Sequence, residues 1–166
     1  MDGTDAQQDL VRTTILAREK LDRNFDTWED FANVRFRELA KGEGKSGNIR
    51  ITFDPEASGV AFHSMVGTAA RDVEDPNRHT MKLGGLPVQG PYGDRYHRPI
   101  LHEFGHALGL KHEHQSPAMG DSIKLNRDKV IEGRYEGDEA RAKRNMLDSV
   151  KNPINYTQFD KHSIMM

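Results

Sequence analysis

The chain has 166 residues, a length suited to one domain with a single core. Charged residues make up 30% of it and hydrophobic ones 35%, and 24 basic against 26 acidic residues give a formal net charge of −2; this leaves no electrostatic case for nucleic acid or an anionic membrane as partner. With no cysteine, neither a disulfide framework nor a thiolate metal site is available, and any metal must be held by nitrogen and oxygen.

The opening residues Met1-Asp2-Gly3-Thr4-Asp5 lack the basic start and apolar run of a signal peptide. Asp9 is the expected N-cap of a first helix. Leu10, Val11, Ile15, Leu21, Phe25 and Trp28 recur at helical spacing, which predicts one amphipathic helix over 10–29. Val34–Arg37 and Ile49–Phe53 alternate apolar with polar residues, as strands covered on one face do. The link between them, Gly42 to Gly47, formally matches a G-x-G-x-x-G phosphate loop. No helix follows it to supply an anion site, so a plain loop is expected. Asp54-Pro55 and Ser58-Gly59 mark a turn.

Val60–Gly67 and His79–Leu83 predict two more strands, and Gly84–Gly93 a loop. A second helix is expected from near Pro99 to about Leu110. Helices over Arg127–Tyr135 and Glu139–Val150 follow, the latter capped by Asp138 and ended by Pro153. This order predicts an α+β or mixed α/β domain with one sheet of about four strands.

Residues 102–112 read His-Glu-Phe-Gly-His-Ala-Leu-Gly-Leu-Lys-His. His102 and His106 stand four apart, one above the other on a helix face, so both imidazoles can reach one Zn²⁺. Glu103 leaves the helix at the edge of that face, where a general base can reach water at the metal without ligating it. Gly109 permits the sharp left-handed turn that returns His112 as third ligand. Three neutral nitrogens leave the zinc its charge and an open position. His63, His79, His97, His114 and His162 are expected to pack, face solvent or support ligands.

This extended pattern resembles the metzincin metallopeptidases. The run His112-Glu113-His114-Gln115-Ser116-Pro117 is similar to the matching segment of astacin-like enzymes, of the microbial rather than the disulfide-bearing animal kind. Ser163-Ile164-Met165 resembles the astacin-type Met-turn, which implies that Met165 lies beneath the zinc. Phe62-His63-Ser64-Met65-Val66-Gly67 resembles the edge strand that lines the substrate cleft.

The resemblance implies a zincin-like fold. In it a twisted mixed sheet of four to five strands packs on a long N-terminal helix and an active-site helix, with a helical C-terminal part. It also implies one Zn²⁺ per chain, a polypeptide substrate, no role for nucleic acid or membrane, and secretion. The family has a strand before its first helix and a tyrosine two positions after the Met-turn methionine. Residues 1–166 offer neither, so one catalytic domain truncated at both ends is expected. The expected function is peptide-bond hydrolysis by zinc-activated water with Glu103 as base. The rival is an inactive zinc-binding structural or interaction module, which a peptide-cleavage assay separates.

Overall fold

The first helix starts earlier than its apolar periodicity suggests. α1 runs Asp5–Ile15. Thr4 caps it: the Thr4 hydroxyl accepts from the Gln7 N–H (3.3 Å), and the Gln7 side-chain oxygen accepts from the Thr4 N–H (3.0 Å). This reciprocal box satisfies two end groups at once. Asp9, the expected cap, lies inside the helix instead, with its carboxylate on Arg12 at 2.7 Å. The computed structural model describes residues 2–16, 25–40, 43, 47–54, 56, 61–90, 92–151, 153 and 155–166. Leu21, most of the Gly42–Gly47 link, Pro55, Ser58-Gly59 and Val60 lie outside them.

The expected single helix over 10–29 is two separate pieces among the described residues. Phe25 to Thr27 are not helical, and a short α2 spans Trp28–Phe31. Thr27 donates its N–H to the Asp30 carboxylate at 2.6 Å, which starts that new helix.

The chain divides into two compact units, residues 1–110 and 111–166. In the first, β1 (Ile51–Thr52), β2 (Phe62–Ser64) and β3 (Met81–Leu83) form a mixed sheet in the order β1-β3-β2. β1 runs parallel to β3 and β2 antiparallel to it. The fold is therefore α+β with a small mixed sheet, which has three strands among the described residues rather than four or five.

Val34–Arg37 is not a strand. The Phe36 N–H goes to the Glu29 carboxylate (2.7 Å) and its ring meets Phe104 edge-on at 5.1 Å. Its alternation thus reflects a covered face without a ladder partner. Ahead of α1, where the sequence offers no strand candidate, Asp2 bonds along β1. Its N–H reaches the Ile51 carbonyl (3.4 Å), and its carboxylate accepts from the Phe53 N–H (2.9 Å).

α3 (His97–Ala107) is the helix expected from near Pro99, and it already includes His97. Its Ile100, Leu101 and Phe104 are buried in the core with Leu10, Val11 and Ile15 of α1 and Ile51, Met81 and Leu83 of the sheet. Two polar contacts fix α3 in place. The Trp28 indole N–H donates to the Leu101 carbonyl at 2.8 Å, and the fully buried Thr14 hydroxyl meets His97 Nδ1 at 2.7 Å. Burying apolar surface at about 25 cal/mol per Å² supplies the stability, while these polar pairs set position, since each adds only about 1 kcal/mol net.

In the second unit, α4 (Arg127–Tyr135) is capped by the Asn126 side chain and α5 (Glu139–Ala142) by that of Asp138. α5 continues as one π-helical turn, Lys143–Leu147, and stops there. The expected run to Val150 fails because the Val150 N–H bonds the Gln115 carbonyl (2.8 Å) instead of a helical one.

Candidate metal centre

The last turn of α3 shapes the motif. Gly109 lies at φ +102, a conformation that a side chain would strain. The Leu110 N–H bonds back to the Gly105 carbonyl (3.0 Å) and the Gly109 N–H to that of His106 (2.8 Å). This is the Schellman pattern of helix closure, with glycine at its left-handed position. A Cβ on Gly67 would come within 3.2 Å of the Gly109 Cα, so both glycines serve one close backbone crossing.

That closure also sets a tautomer. His106 Nδ1 lies 2.8 Å from the Leu110 carbonyl. A carbonyl oxygen only accepts, so Nδ1 carries the proton and Nε2 keeps its lone pair for a metal. The His102 and His106 rings stand 4.7 Å apart and nearly perpendicular. Among the described residues, one group of three or more candidate ligands gathers closely enough to share an ion. It is His102, His106 and His112, whose ligand nitrogens lie within 4.8 Å of one another. All three come from one stretch of eleven residues.

Glu103 is 5% exposed, and its Oε2 has no hydrogen-bond partner among the described residues. Burial pushes its carboxyl up to about 8 from the ordinary 4.5. Glu103 directly follows His102, the first of the three gathered imidazoles, and a cation held by them would favour its charged form. The donor set therefore fits zinc, with three nitrogens from the protein and a position left over.

Because the folded value lies above the unfolded one, the stability held by the protonated carboxyl is complete below about pH 4.5. It is lost as pH rises through about 8. The metal-free chain is expected to lose on the order of a few kcal/mol across that window. Urea unfolding at a series of pH values measures this, and Glu103→Gln is expected to flatten the slope. An equal slope in the variant would mean that another group causes the fall.

The other expected site residues are placed as follows. Phe62, His63 and Ser64 form β2, the outer strand of the described sheet. Met65 continues it by one bond, from its N–H to the Thr80 carbonyl (2.9 Å). Val66 is extended, but Gly67 opens a 3-10 turn over Gly67–Asp72, so the strand is shorter than Phe62–Gly67. His63 is held below the ordinary imidazole range by burial, then by the charges of His79 and Lys82. Within the second unit Met165 is 3% exposed, and its carbonyl accepts from the Glu113 N–H at 2.9 Å. The Glu113 carboxylate accepts from the Asp160 N–H (3.1 Å). The turn at 163–166 is thereby tied to the residue that follows His112.

Sequence reasoning gave Gln115 no role, yet it is 6% exposed and bonds His112 Nδ1 through Oε1 at 3.3 Å. A polar residue three positions after a ligand was the available signal.

Comparison with known proteins bears on the same stretch. Residues 91–166 match the family model described as Astacin, a peptidase family. Serralysin of Proteus mirabilis is 32% identical over 111 residues, covering 58% of this chain and 22% of serralysin. Zinc metalloproteinase nas-6 of Caenorhabditis elegans is 27% identical over 113 residues, covering 68% of this chain and 27% of nas-6. The chain thus spans about a quarter of the length of these curated relatives, 22% and 27%. Two solved structures of myroilysin superpose with TM-scores of 0.75 and 0.64 at 26% identity. Each alignment covers 99% of this chain, and 73% and 66% of the myroilysin chains.

Proposed function

We propose that this chain is an astacin-like metzincin and a zinc-dependent endopeptidase acting on polypeptides, a reading supported by the Astacin match over residues 91–166, by the similarity to serralysin and zinc metalloproteinase nas-6, and by the fold shared with myroilysin. The observation that carries the reading is the gathering of His102, His106 and His112, with Glu103, buried and directly after His102 in the chain, as the candidate base. A zinc ion held there supplies Lewis acidity toward water and the scissile carbonyl.

The chain's own residues do the rest. His106 presents Nε2 because the Leu110 carbonyl holds the Nδ1 proton. Glu103 takes the proton of the attacking water and returns it to the leaving amine. Its raised value in the metal-free chain falls when a positive charge is near, which readies it as a base. An extended substrate pairs through main-chain groups with the outer edge of β2 at Phe62–Ser64, so recognition there depends little on substrate side chains. Met165, buried and bonded to Glu113, supports the segment that carries His112.

The test is cleavage of an unfolded protein substrate by the zinc-loaded chain, with and without a chelator. Peptide-bond cleavage that the chelator abolishes and zinc restores is the expected result. Stoichiometric zinc binding with no cleavage would favour the non-catalytic module.

A further inference from the structure

The end of the π-helical turn leaves backbone carbonyls without helical partners, as every helix end does. Side chains from the segment after His112 take them up. The Gln115 amide nitrogen donates to the carbonyls of Arg144 (2.8 Å) and Asp148 (3.0 Å). His114 Nε2 lies 3.2 Å from the Asn145 carbonyl and therefore donates to it. The Gln115 carbonyl accepts from the Val150 N–H, and its own N–H reaches the His112 carbonyl at 3.0 Å.

These bonds fix which way the Gln115 amide faces. Both hydrogens of Nε2 are committed to carbonyls. Turning the amide over would set its oxygen against the same two carbonyl oxygens, three acceptors with no proton between them. Oε1 therefore faces His112 Nδ1 at 3.3 Å and can only accept from it. His112 carries its proton on Nδ1 and keeps the Nε2 lone pair. Left to itself in water, neutral imidazole prefers the opposite tautomer, with the proton on Nε2, where it would block ligation. The His114 ring lies stacked on His112, 5.0 Å away and tilted by 15°, which limits rotation of the ligand ring.

We propose that Gln115 is a positioning residue for the metal centre: anchored by the carbonyls at the end of the π-helical turn, it holds His112 in the Nδ1–H tautomer that leaves Nε2 to bind the ion. The proposal rests on the zinc reading above. It adds that the affinity of the third ligand is set by a helix end about thirty residues further along the chain.

The test uses the full chain. Nitrogen-15 NMR of the zinc-free protein at a pH where His112 is neutral reads its tautomer directly. The Nδ1–H form is expected to dominate, and a dominant Nε2–H form would overturn the proposal. Gln115→Met keeps length and removes both bonding groups. Its His112 is expected to shift toward the Nε2–H form, with zinc affinity weakened about 10- to 100-fold. A purely structural Gln115 would lower the melting temperature without moving the tautomer. His106→Ala is the reference. If His106→Ala loses zinc while a folded Gln115→Met binds as the wild type does, the positioning role is wrong and the metal centre stands. If His106→Ala binds zinc normally, the metal-centre reading itself has failed. Should Gln115→Met not fold, the wild-type tautomer decides.

Discussion

Glu103→Gln is expected to keep its zinc and lose peptide hydrolysis by two orders of magnitude or more. The substitution preserves side-chain volume in a position that is 5% exposed, and it leaves His102, His106 and His112 untouched. What it removes is the proton acceptor. General acid–base groups contribute roughly 10²- to 10⁴-fold, which is about 3–5 kcal/mol of barrier. Zinc content is read by elemental analysis and turnover on an unfolded protein substrate. Because the Glu103 Oε2 has no hydrogen bond to lose among the described residues, the variant should melt no lower than the wild type near neutral pH. Loss of zinc would make Glu103 a ligand and overturn the assignment of roles.

His106→Ala has the opposite signature, with binding lost together with the stability that binding confers. The side chain is 8% exposed and joins the helix end to the metal site through Leu110. Two remaining imidazoles form a poor zinc site, and a ligand that binds only the folded chain stabilises it by RT ln(1 + [L]/Kd). At a thousandfold excess over Kd this is about 4 kcal/mol. The wild-type chain should therefore melt markedly higher with zinc than without, while His106→Ala shows no such increment at micromolar zinc. Calorimetry at fixed protein concentration gives both melts. A wild-type-sized increment in the variant would mean that the ion is held elsewhere.

Much of the candidate site was legible in the sequence because its chemistry is local. Four-residue spacing on a helix puts His102 and His106 on one face, whatever the rest of the fold does. Gly109 announces the left-handed closure because few other residues adopt φ +102. α4 matches its expected span, Arg127–Tyr135, and Asp138 does cap α5, since capping is also a matter of neighbours in the chain.

Where long-range partners compete for the backbone, local pattern misleads. The apolar period over 10–29 says which residues are covered, but Thr4 and Thr27 with their own partners decide where helices begin. Val34–Arg37 alternates like a strand, and Glu29 takes its Phe36 N–H, so no ladder forms there.

The sequence by itself determined the spacing of the three imidazoles and of the candidate base, because that spacing and the helix closure are set within eleven consecutive residues. Only the tertiary structure decided the state of those groups. Burial in the folded chain raises Glu103 to about 8. The carbonyls of Arg144 and Asp148 fix the amide of Gln115, and with it the proton on His112. The physical reason is range: spacing along a helix is covalent geometry, whereas desolvation and tautomer choice depend on whichever atoms folding brings within hydrogen-bonding distance.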